Sequence, residues 1–220
     1  MSLQNLINIA ETLEINRQKT VGQQITRSGV VKVGETPTRN PWRFNLTIPA
    51  LKPYADARAL MESIDYYDRT NYQDISFDST KGAVNGLSYM FNYRGDLTLT
   101  QRNTLRVSSF SGDQLTLTGL PTGNAGQFIV RAGDVFQIDG YPYPFSSISD
   151  VIRGSGATVI VRTHRPNFIT ASVQNASLIF GNAVQFRMIA TSMPTYSVIP
   201  GPYVQINGQL QLHEYTGLTA

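Results

Sequence analysis

Two histidines are the residues most able to do chemistry in this chain. His164 stands in Arg162-Thr163-His164-Arg165-Pro166, and His213 lies near the C-terminus. Neither has a second histidine or a carboxylate at metal-ligand spacing, and no HExxH pattern occurs. Ser155 sits in Gly154-Ser155-Gly156, which is not the GxSxG of a nucleophile elbow and leads into no helix, so it reads as a turn serine. No phosphate-cradling loop or dinucleotide fingerprint is present. Glu62, Asp65 and Asp68 gather on one helical stretch, where carboxylates on the solvent side are solvated rather than paired for acid–base work. Asp134 and Asp139 flank a hairpin pattern and read as turn formers, because an aspartate side chain bonds its own nearby backbone. Tyr141, Tyr143 and Phe145, set between prolines, have the shape to stack on a sugar, but an interface or a core edge suits them better. The chain has no cysteine, which removes disulfides and thiolate metal sites. The expectation is no catalytic residue, no cofactor and no metal.

Composition narrows the classes further. The chain has 220 residues, enough for one domain or two small ones with a real core. Its charged content is only 15% against 41% hydrophobic, so much of the surface must be neutral polar or covered by partners. Eighteen basic residues face fifteen acidic ones, and no run of lysine or arginine concentrates the small excess. A nucleic-acid reader normally carries a basic stripe or an aromatic recognition motif, and neither is found. The N-terminus lacks a positive leader region and no apolar run approaches 18 residues, so neither a signal peptide nor membrane insertion is expected.

The elements that would position these residues are mostly strands. Trp42 to Ile48 is the clearest period-2 stretch, with Trp42, Phe44, Leu46 and Ile48 on one face as expected core anchors. Residues 1 to about 53 read as strands, with a turn around Val21-Gly22 and an exposed loop, Gly34 to Pro41, carrying Thr36 and Arg39. One helix is expected over 54–69, because Ala57, Leu60, Met61, Ile64 and Tyr67 recur at helical spacing; Leu60 and Ile64 join the expected anchors. From Ile75 onward short strands alternate with turns. They include Leu87–Tyr93, Leu97–Thr100, Leu115–Thr118 and a module over 128–165 with an Asp139-Gly140 hairpin signal. A final hairpin is expected at Asn207-Gly208, after a proline-rich crossing at Ile199 to Pro202. The fold class expected is mainly β (α+β). The first block has too few strands to close a core alone, so residues 1–72 and 168–220 are expected to form one discontinuous domain around an inserted small β-barrel at 75–166.

A succession of motifs adds a resemblance. It comprises Ser2-Leu3-Gln4-Asn5-Leu6-Ile7, Trp42-Arg43-Phe44, Arg58-Ala59-Leu60-Met61-Glu62, and Asp65 followed by Asp68-Arg69-Thr70. Tyr93-Arg94-Gly95-Asp96-Leu97, Ala132-Gly133-Asp134 with Tyr141-Pro142-Tyr143, Val161 to Pro166, and Pro194 to Pro200 continue the series. In this order they resemble virion structural proteins of contractile-tailed bacteriophages. The resemblance implies a baseplate or tail-hub component of the distal-tail, tube-initiator type, built on a split β-barrel with one helix and often carrying an inserted small β-domain. It implies no catalytic residues. It implies partners of three kinds: further copies of itself in a six-fold ring, the neighbouring tail-tube and baseplate proteins, and phage DNA passing through the lumen without sequence-specific binding. The location implied is the virion, after assembly in the host cytoplasm. Val21, Gly22, Thr36, Arg39, Tyr141, Tyr143 and Phe145 are then the candidate interface residues. Two alternatives stand beside this reading: a carbohydrate-binding tail module using the Tyr141–Phe145 aromatics, and a tail-associated hydrolase, for which the sequence prepares no acid pair or Ser–His contact.

Overall fold

The structure, a computed structural model, describes residues 3–17, 21–25, 31–35, 40–67, 71–77, 91–122, 125–169 and 171–217. The chain begins with helix α1 (Leu3–Ile7) and strand β1 (Thr12–Asn16), followed by β2 (Val21–Ile25), β3 (Val31–Glu35) and β4 (Arg43–Thr47). Then come β5 (Leu51–Pro53), α2 (Tyr54–Asp65) and β6 (Gln73–Ser76). Its middle carries α3 (Leu99–Arg102), β7 (Arg106–Ser111), β8 (Gln114–Thr118), β9 (Phe128–Val130), β10 (Val135–Ile138) and β11 (Pro144–Ser146). After β12 (Val151–Ile152) and β13 (Val159–Arg162) follow β14 (Leu178–Phe180), β15 (Gln185–Ser192), β16 (Thr195–Val198), β17 (Tyr203–Asn207) and β18 (Leu210–Glu214). The fold is mainly β, in several small antiparallel sheets; among the described residues no sheet closes into a barrel. None of the described helices is long and apolar enough to cross a membrane.

Buried side chains fall into two clusters. The first collects α1, Trp42 to Ile48, α2, Ile75, Phe77, Phe91 and the late strands from Val184 to Leu212. Its frame is a five-stranded sheet ordered β1-β4-β18-β15-β6. Alternation in β4 sends Phe44 and Leu46 inward, where the β18 register sets them opposite Leu212 and Leu210. Trp42, Phe44, Phe77, Phe91 and Phe186 pack at the centre, with Phe77 and Phe91 stacked at 4.6 Å between centroids. A three-stranded sheet, β16-β17-β5, adds Val204 and Ile206 to this core. The second cluster runs from Leu97 to Phe180 and is framed by β13-β8-β7, β11-β10-β14 and β12-β9. It continues past the domain boundary expected at 166–168, since Val173, Leu178 and Phe180 pack in it and β14 pairs with β10.

Several local expectations are corrected. The N-terminal segment opens with a helix, because Leu3, Leu6 and Ile7 recur at helical spacing and are buried on one face. Gln4 fixes it to the sheet edge, donating from Nε2 to Ser76 O and accepting at Oε1 from Ser76 N–H, both at 2.9 Å. Helix α2 stops at Asp65, four residues short of the expected end. Leu97 to Thr100 is not a strand: Thr98 caps α3 in a capping box, accepting from Gln101 N–H while the Gln101 side chain accepts from Thr98 N–H. Val21 and Gly22 lie within β2, paired to Glu35 and Gly34 of β3, and not in a turn. Asn207-Gly208 turns the chain between two sheets, since β17 pairs with β16 and β5 while β18 pairs with β15 and β4. The hairpin is instead β16–β17, closed by Ile199 to Pro202. Asp139-Gly140 opens a five-residue connection between β10 and β11, not a two-residue one. Residues 87–90 of the expected strand at Leu87, with Asp68, Thr36 and Arg39, lie outside the described residues.

Candidate functional site

The densest polar constellation lies where the two cores meet, around Trp42. Strand β18 delivers Glu214 and the segment after β13 delivers Arg165; both side chains are fully buried. Arg165 Nη1 donates to Glu214 Oε2 at 2.5 Å and Nη2 to Oε1 at 2.8 Å, a two-pronged ion pair. The same Nη2 donates to Pro144 O at 2.6 Å, and Trp42 Nε1 donates to that carbonyl at 3.0 Å. Glu214 Oε2 also accepts from Trp42 N–H at 3.0 Å, and Glu214 N–H donates back to Trp42 O at 2.8 Å. Arg165 lies within 5.0 Å of the Phe145 ring centroid and 4.8 Å of that of Phe168. One node therefore ties β4, β11, the end of the 128–165 module and β18 across the two cores. Isolated buried charges are costly, so this pair persists through its near-complete hydrogen bonding.

His164 sits beside the node and is held neutral. Burial, with the charges of Arg165 and Arg17, pushes its pKa down to about 2. Its Nδ1 accepts from Ser146 N–H at 3.0 Å, which places the ring proton on Nε2. Nε2 is buried and makes no hydrogen bond to the described residues, and the ring meets Trp42 edge-on at 5.2 Å. His164 is therefore a neutral ring at ordinary pH, with Ser146 as its hydrogen-bonded neighbour. His213 lies on β18 opposite Arg43, its pKa lowered by partial burial and by that arginine. Among the described residues no group of three or more His, Cys, Asp or Glu is arranged to hold a metal.

The acidic residues act as local fasteners. Asp134 is buried and accepts from Arg94 N–H at 3.0 Å and Arg131 N–H at 2.8 Å, closing the 131–134 turn. Burial outweighs those bonds and raises its pKa. Asp139 accepts from Ser177 Oγ at 2.9 Å, and Asp65 accepts from Tyr196 Oη at 2.5 Å.

The expected anchors Trp42, Phe44, Leu46, Ile48 and Leu60 are buried in the first core, and Ile64 packs half-buried against it. Of the candidate interface residues, Phe145 is fully buried between Phe110, Phe136 and Arg165, so it presents no surface to a neighbour. Its place in β11, facing Phe136 of β10, makes it core. Tyr141 and Tyr143 are half-buried: Tyr141 donates its hydroxyl to Ser172 O at 3.2 Å, and Tyr143 packs edge-on against Phe168 at 4.9 Å. With Phe145 buried, the three rings do not share one exposed face. Val21 and Gly22 are placed by their backbone in a two-stranded ribbon, β2–β3, paired to no other strand among the described residues. The Arg165–Glu214 pair was missed from sequence because 49 residues separate its members and nothing local to either announces the other.

No family model matches the chain, and no curated protein matches it significantly.

Proposed function

We propose that this chain is a structural protein of a contractile-tailed phage, assembling into a six-fold ring in the baseplate hub that joins the tail tube to the distal tail. The ordered motif series supports the family reading, and the ribbon β2–β3 is the single observation that carries assembly. A two-stranded ribbon is marginally stable alone in water, and both outer edges of this one lack a strand partner among the described residues. A neighbouring subunit supplies what it lacks. The outer face of the β16-β17-β5 sheet supports the same reading, because Leu51 and Tyr203 are exposed on it and Tyr54 is exposed beside it. The two cores suit a tube-like unit carrying an inserted β-unit, fastened by the Arg165–Glu214 node. Function on this reading resides in interfaces and not in a catalytic centre. Its partners are further copies and adjoining tail proteins, and its place is the virion.

The test is light scattering on the full chain beside a ribbon variant, Val31→Pro with Val33→Pro, which removes ladder donors from β3. The wild-type chain is expected to form a large discrete species and the variant a folded monomer. Equal masses for the two proteins, with circular dichroism unchanged, would sink the ribbon's role.

A further inference from the structure

Beside the node lies a cleft of about 230 Å³ between the two cores. Its floor is apolar (Ile15, Trp42, Phe91 and Val135), and two guanidinium groups, of Arg17 and Arg94, line it. Arg94 is already occupied: its Nη2 donates to Ala132 O, and its Nε stands 3.7 Å from Asp134 Oδ1. Gly133, at φ +88°, leaves space for that side chain, since a Cβ there would come within 3.0 Å of Arg94 Nη2.

Arg17 is different. It follows β1, lies 4.9 Å from the centroid of the Trp42 ring, and donates once, from Nη1 to Ser146 Oγ at 2.5 Å. Among the described residues no carboxylate pairs with it. The residue as a whole reaches solvent, yet its surroundings are desolvating enough to lower its pKa, with no opposing charge to offset them. The remaining charges balance: Arg165 against Glu214, Arg94 against Asp134, and His164 neutral. Counting the described residues, the cleft therefore carries one uncompensated cation with four of its five N–H donors unused, above an aromatic floor.

We propose that this cleft binds a small organic carboxylate with a flat apolar body, its charge met by Arg17 and its body laid against the Trp42 side of the floor. A planar guanidinium matches a carboxylate two-pronged. The apolar floor gives a hydrated inorganic anion little, a neutral sugar leaves Arg17 uncompensated, and the volume falls below the roughly 300 Å³ at which drug-sized ligand pockets begin. This proposal is independent of ring assembly.

Trp42 is the only tryptophan, so selectively excited tryptophan emission comes from one residue, which lines this cleft. Benzoate is the probe, benzamide its neutral isostere, and Arg17→Gln and Arg17→Lys the variants. Benzoate is expected to produce a saturable fluorescence change and to raise the melting temperature. Benzamide and Arg17→Gln should each weaken binding about tenfold or more, with Arg17→Lys in between, because each loses a charge-assisted contact. Arg17 is at the surface, so circular dichroism of both variants should match wild type. The proposal is overturned by the absence of a saturable change, by equal binding of benzamide, or by unaltered binding in Arg17→Gln.

Discussion

Glu214→Gln keeps the shape of the side chain at the core junction and removes only its charge. Arg165 would then lie in a fully buried position with a neutral amide in place of its carboxylate, and one amide prong would point a donor at a donor. Trp42 N–H would also exchange a charged acceptor for a neutral one at best. Breaking one side of a buried pair costs about 3–5 kcal/mol, whereas replacing both partners by apolar groups of similar volume is often close to neutral. In a protein of this length about 1 kcal/mol moves the melting temperature by about 2–4 °C, so the single variant is expected to melt on the order of 10 °C lower. Arg165→Met should be similarly damaging, since it exposes Glu214 to the same uncompensated burial. The double variant, Arg165→Met with Glu214→Leu, should recover most of that loss. Denaturant unfolding of the wild type and the variants, including Glu214→Leu alone, completes the cycle. Additive losses in the double variant would contradict this coupling, because they would mean that neither charge depends on the other.

Other expectations follow from individual positions. Trp42→Ala should cost about 3–5 kcal/mol in denaturant unfolding, since it empties the centre of the aromatic cluster and removes one donor from Pro144 O. His164 is neutral in the folded chain down to about pH 2, while the unfolded chain takes up a proton near pH 6.5. Its contribution to stability is therefore full above 6.5 and falls by about 1.4 kcal/mol per pH unit below it. His164→Gln should flatten melting temperature against pH between 6.5 and 4, and an unchanged slope would contradict the neutral assignment. Gly119→Ala should destabilise by about 1–3 kcal/mol in thermal melts, because φ is +70° and a Cβ would meet Thr104 O at 2.1 Å.

What could be read from the sequence was local. The Trp42–Ile48 alternation is a period-2 signal whose partners, β1 and β18, share its inward face, and α2 follows from the spacing of Ala57 and Leu60. What could not be read was pairing over long separations. Asn207-Gly208 is a strong turn signal, but a turn does not choose its sheet: β18 is drawn between β4 and β15, where Leu210 and Leu212 bury. Leu97 to Thr100 alternates like a strand over four residues, and the deciding feature lay one residue beyond, in the Thr98–Gln101 box. The spacing of Leu3, Leu6 and Ile7 is helical, but five residues are too short a run to stand out against the strand-rich stretch that follows. Of the candidate site, Trp42 was visible as an anchor. Arg17, Arg165 and Glu214 gave no local sign, because a charge at a strand end looks solvated until the fold buries it or removes its partner.

On the proposed reading the chain works by closing into a ring through its interfaces. Negative-stain imaging of the purified full chain, averaged without imposed symmetry, tests it most directly when paired with scattering mass on the same sample. Closed rings of six copies of the 24.3 kDa chain, about 146 kDa, with a central opening are expected. Monodisperse 24.3 kDa particles at every concentration examined would contradict it.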